Sequence, residues 1–131
     1  MDALTGPIGF EETGPDFAGW HEFGPETYPV DVGDVVVSRR FGSVAYHLSV
    51  VIDDHLQGIT EVVRGVDLFD ATQIHVLLQR LLGLPTPVYH HHPLIRDEHG
   101  KRLAKRDDAR AIATYRAEGA SPEDVRRLVG L

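Results

Sequence analysis

Apolar positions fall in short blocks through the middle of the chain, and their spacing changes once. Val35-Val36-Val37 is β-branched and short, which predicts a strand, and Gly42 follows as a turn position. The run Val44 to Asp53 is almost continuously apolar and predicts a buried strand or strand–turn unit; Ile59 to Val63 predicts another strand. Over residues 68–82 the period shifts. Leu68, Ile74, Leu77, Leu78, Leu81 and Leu82 recur at three- and four-residue steps, the pattern of an amphipathic helix. Asp70 stands near its start as a cap, and Gly83 followed by Pro85 ends it. Val88 to Ile95 predicts a fourth strand, so residues 59–95 read as strand–helix–strand, a right-handed parallel crossover.

The ends read differently. Residues 1–33 carry Gly6-Pro7, Gly9, Gly14-Pro15, Gly24-Pro25, Pro29 and Gly33, and predict a long irregular segment ahead of a folded part at 34–131. Asp97-Glu98-His99-Gly100 predicts a turn. Residues 108–118 predict a helix stopped by Gly119. Ser121-Pro122-Glu123-Asp124 opens another, with Ser as cap, Pro in the first position and an acid three residues after the cap.

Composition narrows the class. The chain has 131 residues, 42% of them hydrophobic and 25% charged, the profile of one globular domain. It has no Cys, which excludes disulfides and any Cys-ligated zinc site within it. No apolar run approaches the ~20 residues of a membrane span, and Met1-Asp2-Ala3-Leu4 does not open a signal peptide. The expectation is a cytoplasmic protein with no membrane partner. The net charge is −7, but unevenly placed. Residues 1–34 hold eight acids and no Lys or Arg, whereas 96–131 hold seven acids and nine bases. Such asymmetry suits a polyanion at one end; the plainer alternative is an ion-paired helical surface.

Three groups could carry chemistry. In His90-His91-His92 only the first and third share a strand face, and no zinc spacing accompanies them. The plain reading is polar positions near a strand end. His47 and His75 carry no metal spacing either. Asp53-Asp54 could serve magnesium or acid–base work, or cap a helix at a strand end. Gly100-Lys101-Arg102-Leu103-Ala104-Lys105-Arg106 puts four cations in seven residues after a turn and could grip phosphate, or simply be solvated. Neither G-x-x-x-x-G-K-[ST] nor G-x-G-x-x-G occurs.

The order of these pieces is more specific than any one of them. Tyr46-His47-Leu48-Ser49-Val50-Val51-Ile52-Asp53-Asp54 is followed by Thr60-Glu61-Val62-Val63-Arg64-Gly65, Asp67-Leu68-Phe69-Asp70-Ala71-Thr72, Leu81-Leu82-Gly83-Leu84-Pro85, His92-Pro93-Leu94-Ile95 and the basic loop. This series resembles the carboxyl-terminal half of the catalytic domain of class I glutamyl-tRNA synthetases, most of all the shortened glutamyl-Q tRNA(Asp) synthetase branch. Val50, where discriminating glutamyl-tRNA synthetases usually carry Asn, and the short tail after the basic loop both favour that branch.

The resemblance implies an α/β fold: part of a Rossmann-like parallel sheet, the second half of a class I catalytic core, with short carboxyl-terminal helices. It implies a ligase that activates glutamate with ATP and passes it to tRNA, for this branch the queuosine base of tRNA(Asp), with magnesium accompanying ATP. Tyr46 and Arg64 match the residues that hold glutamate. Arg102 to Arg106 match the family's K-[ML]-S-K-[SR] loop, with Arg102 for the first Lys, Ala104 for the Ser, and the ATP-contacting second Lys kept as Lys105. Leu94 and Ile95 match the strand whose backbone lies against adenine. Nothing in the chain matches the family's H-I-G-H motif. The expectation is therefore a chain incompetent alone, with a separate amino-terminal half as partner. The alternatives are a non-catalytic remnant or partner subunit binding ATP or RNA weakly, or a basic-tailed interaction domain without a nucleotide site.

Overall fold

A computed structural model describes residues 6–24, 33–40, 42–96, 99–100 and 111–130. They form two compact units, Met1–Pro93 and Leu94–Leu131.

The first unit is built on a four-stranded sheet. Strands β1 (Ile8–Glu12), β2 (Gly19–Phe23), β3 (Glu61–Gly65) and β4 (Val88–His92) lie in the order β2-β1-β4-β3. Strand β4 pairs in parallel with β3 and with β1, while β1 and β2 form an antiparallel hairpin. The expected strand–helix–strand unit is present: helix α2 (Thr72–Leu82) links the parallel pair β3 and β4. A left-handed Gly83 (φ 68°) ends α2, a conformation glycine adopts without strain. Asp70 does not cap it. The cap is Ala71, with no side-chain bond, because a 3-10 turn at Val66–Leu68 leads into the helix and the first amides find backbone carbonyls such as Phe69 O.

Three other expectations fail in instructive ways. The amino-terminal segment is not wholly irregular, for β1 and β2 belong to the sheet. Ile8, Phe10 and Glu12 alternate onto the buried face, and Ile8 and Phe10 form the core with Val76 and Tyr89. The hairpin brings Phe10 against His21, Phe69 and Tyr89 in aromatic contacts (centroids 5.3 to 5.9 Å). The Val44–Asp53 run is not a strand. Residues Tyr46–Leu56 form helix α1, which packs on α2 and buries Val51. A continuous apolar run fits either structure, and tertiary packing overrides the β preference of Val50, Val51 and Ile52. Val35–Val37 forms no strand either. Val36 and Val37 stay exposed, with only an isolated bridge between Ser38 and Val44 closing the turn at Gly42.

The second unit contains helices α3 (Ile112–Ala117) and α4 (Pro122–Leu128). The predicted cap is present as a reciprocal box. The Ser121 hydroxyl accepts from the Asp124 amide (3.2 Å) and the Asp124 carboxylate accepts from the Ser121 amide (3.0 Å). Among the described residues no helix is long and apolar enough to cross a membrane.

Candidate functional site

Arg64 is the penultimate residue of β3, at the strand's carboxyl end, and its side chain lies on the covered face of the sheet. It does not make the surface ion pair with Asp67 that its position allowed. Its Nε–H donates to His91 Nε2 (2.9 Å), Nη1 to His75 Nδ1 (3.0 Å), and Nη2 to Thr72 Oγ1 (2.7 Å) and the Leu68 carbonyl (3.3 Å). The guanidinium carbon also stands 5.1 Å from the Tyr89 ring centroid. A guanidinium has five N–H groups, so four are engaged and one on Nη1 is left for Tyr46 or a ligand.

The side-chain acceptors come from two elements. Thr72 and His75 lie on the inner face of α2 with Val76 and Gln79, at spacings of three, four and seven from Thr72. His91 comes from β4, beside β3, with Arg64 and His91 paired in register. His91 is 1% exposed, and its Nδ1 lies 2.5 Å from Glu12 Oε2. Glu12 is 2% exposed, and its Oε1 accepts from the amides of Gly14 (2.6 Å) and His91 (2.9 Å). Gly14 must be glycine here: an added Cβ would meet the His91 carbonyl oxygen at 2.2 Å. On the other side His75 Nε2 meets His47 Nδ1 of α1 at 3.0 Å, and the Tyr46 ring lies 5.9 Å from that of His75.

Burial sets the charges. It pushes His75 down to about 3, with Arg64, His47 and His91 adding in the same direction. Burial also lowers His91, although the hydrogen bond and charge of Glu12 oppose it. Burial raises Glu12, but the amide and ring bonds from His91 and the amide of Gly14 outweigh that and hold it below the usual carboxylate range. Burial lowers Arg64, against Tyr89, Tyr46 and Asp54, yet a guanidinium remains charged. The outcome is a part-buried cation whose hydrogen bonds all go to neutral acceptors. Among the described residues no carboxylate lies within ion-pairing distance of it.

The structure thus brings Tyr46 and Arg64 together through His75. Leu94 and Ile95 follow β4 instead of belonging to it, since the strand stops at His92 and Pro93 has no N–H to continue the ladder. Asp53 and Asp54 sit in the last turns of α1, not at a strand end, and burial raises Asp54. Arg102 and Lys105 lie outside the described residues. Among the described residues no group of three or more His, Cys, Asp or Glu could hold a metal ion.

Glu12, Thr72, His75 and His91 were not singled out as binding residues by the sequence. For Glu12 a signal existed, since it follows Ile8 and Phe10 at period two. Thr72 and His75 lie on the buried face of α2 with Val76 and Gln79, off the stripe of Ile74, Leu77, Leu78 and Leu81 that predicts the helix. In the His triplet it is the middle ring that is buried, because Tyr89 and His91 face the core while His92 is exposed.

A family model for tRNA synthetases class I (E and Q), catalytic domain, matches residues 22–131. The chain belongs to this family. It is 67% identical over its whole length to a glutamyl-Q tRNA(Asp) synthetase of Rhodobacter capsulatus, covering 47% of that protein. It is 48% identical over 78% of its length to one from Symbiobacterium thermophilum, covering 32% of it. A glutamate tRNA ligase from Elizabethkingia meningosepticum, solved in complex with its amino acid, matches 98% of the chain with a TM-score of 0.72 at 28% identity, over 28% of that structure. The chain therefore spans half or less of the curated relatives it matches. The α/β fold and the family implied by the sequence motifs both stand.

Proposed function

We propose that this chain supplies the glutamate-binding part of a class I synthetase site. An α-carboxylate oxygen of glutamate attacks the α-phosphorus of ATP, the bond to the β-phosphate oxygen breaks, and pyrophosphate leaves. The glutamyl group of the adenylate then passes to a nucleophilic oxygen on the queuosine base of tRNA(Asp), the bond to the adenylate phosphate breaks, and AMP leaves. The observation that carries this reading is Arg64, a part-buried cation at the carboxyl end of a parallel strand, where open α/β sheets bind ligands, with neutral partners only. An anionic ligand completes such a site. The α-carboxylate must stay free to attack, so the group held by Arg64 is the side-chain carboxylate, which separates glutamate from glutamine. Tyr46, half exposed beside His75, stands on the same side as that cation and would meet the same ligand.

In this reading Lys105, helped by Arg102, steadies the triphosphate, and the backbone of Leu94 and Ile95 meets adenine. ATP enters as its magnesium complex, a substrate in the cytoplasm. The remaining half of the catalytic domain is the natural partner. The test is pyrophosphate exchange into ATP by the chain supplied with the complementary half of a family catalytic domain. Exchange should require glutamate and fail with glutamine. Lys105→Ala should slow it by on the order of tens- to a thousandfold, with Arg102→Ala costing less. Exchange that ignores the amino acid, or is absent from the complemented domain, would favour a non-catalytic chain.

A further inference from the structure

We propose that Glu12 is a positioning residue for Arg64, acting through His91: its carboxylate selects the imidazole tautomer whose Nε2 lone pair receives the Arg64 Nε–H. This rests on Arg64 being the cation that holds the substrate carboxylate.

The tautomers follow from what a guanidinium can do. It only donates. His91 Nε2, 2.9 Å from Arg64 Nε, must therefore present a lone pair. Neutral His91 then carries its proton on Nδ1, which points at Glu12 Oε2, and an ionised carboxylate only accepts. The carboxylate itself is fixed, because Oε1 takes the amides of Gly14 and His91 and leaves Oε2 for the ring. His91 Nε2 also lies 3.3 Å from Thr72 Oγ1, whose hydroxyl can donate to the same lone pair or to the Leu68 carbonyl. The same rule works on the other flank. His75 Nδ1 accepts from Arg64, so its Nε2 carries the proton and donates to His47 Nδ1. Two neutral imidazoles thus hold the guanidinium from either side without opposing its charge. Only the His91 arm also ends on a buried carboxylate, so only there is the tautomer imposed from both sides by groups that cannot reverse. Strand β1 contributes nothing else to Arg64 in this network. A substitution at Glu12 therefore reaches Arg64 through the ring, beyond any general loosening of the hairpin.

The direct test is long-range 1H–15N correlation on the 131-residue chain labelled at histidine and arginine. The wild type should show His91 neutral at pH 7 with its proton on Nδ1, and a slowly exchanging Arg64 Nε–H. In Glu12→Gln the side-chain oxygen can keep the two amides, which turns the NH2 toward His91 Nδ1. The ring should switch to the Nε2–H tautomer and the Arg64 Nε–H should exchange at least about tenfold faster. Glu12→Asp, which keeps a carboxylate, should retain the wild-type tautomer. If Glu12→Gln does not fold, the wild-type and Glu12→Asp spectra still decide. A wild-type His91 protonated on Nε2 or on both nitrogens overturns the proposal, as does a folded Glu12→Gln with unchanged tautomer and exchange. In pyrophosphate exchange by the complemented domain, Glu12→Gln should raise the KM for glutamate about tenfold and leave that for ATP within about twofold. An inverted tautomer with unchanged glutamate KM, when Arg64→Ala does raise it, would overturn the positioning role. Failure of Arg64→Ala to affect glutamate would overturn the binding assignment alone.

Discussion

Arg64 and Arg126 carry the same guanidinium in opposite settings. Arg126 lies on α4, 61% exposed, and meets the Glu123 carboxylate at 3.1 Å one turn away. Its neighbour Arg127 is 78% exposed and meets Asp124 at 3.6 Å. Both stand in the base-rich last third of the chain, and both have the partners that water-exposed cations usually find. Arg64 sits in the stretch where charges are sparsest per residue, and every hydrogen bond it makes goes to a neutral acceptor. The exposed pairs are self-satisfied and ask for no ligand. Arg64 is held in place by its protein partners but not neutralised by them. Local charge density thus points to the exposed, self-paired arginines, whereas the pairing state of a covered cation points to Arg64.

The largest difference between the regions should appear in acid. Unfolded His75 takes a proton below its ordinary value of 6.5, whereas folded His75 does so only near about 3. Its contribution is fully present above pH 6.5 and is lost as pH falls from there toward 3, at ~1.4 kcal/mol per pH unit. The depressed values of His91 and Glu12 act in the same sense, and burial-raised Asp54 opposes them only in the carboxylate range. Urea unfolding of the sheet followed from pH 7 to pH 4 should show this steep loss; a flat profile would mean that His75 is not held neutral. A smaller effect is expected at the α4 cap. Ser121→Ala removes the acceptor for the Asp124 amide, and that amide should exchange about fivefold faster, as for loss of an ordinary N-cap. The smallest is at the surface pair. Arg126→Ala should move the melting midpoint by less than about 2 °C, and a larger shift would erase the contrast with Arg64.

The sequence showed these regions unequally, for physical reasons. The α2 helix and the Ser121–Asp124 cap were legible because each rests on local chemistry: a 3.6-residue period, a left-handed glycine, a hydroxyl facing an amide. The family resemblance correctly named its class and brought Tyr46 and Arg64 forward. What stayed hidden depended on contacts distant in sequence. Glu12 and His91 are 79 residues apart, and the period-two run Ile8, Phe10, Glu12 marks a strand face without showing which distant residue the carboxylate meets. The α1 run misled because β-branched residues in a short apolar block suit a strand or a buried helix equally. The His triplet misled because a metal search weighs the two outer rings, whereas the pleat buries the middle one.

The central claim is that Arg64 holds the carboxylate of glutamate. It is tested most directly by comparing wild type and Arg64→Ala in glutamate-dependent pyrophosphate exchange, with the complementary half present. Removing a positioned, charge-assisted donor should raise the KM for glutamate by on the order of a hundredfold while that for ATP stays within about twofold. Equal changes in both constants, or none in either, would contradict the account and leave Arg64 a structural tie between β3, β4 and α2.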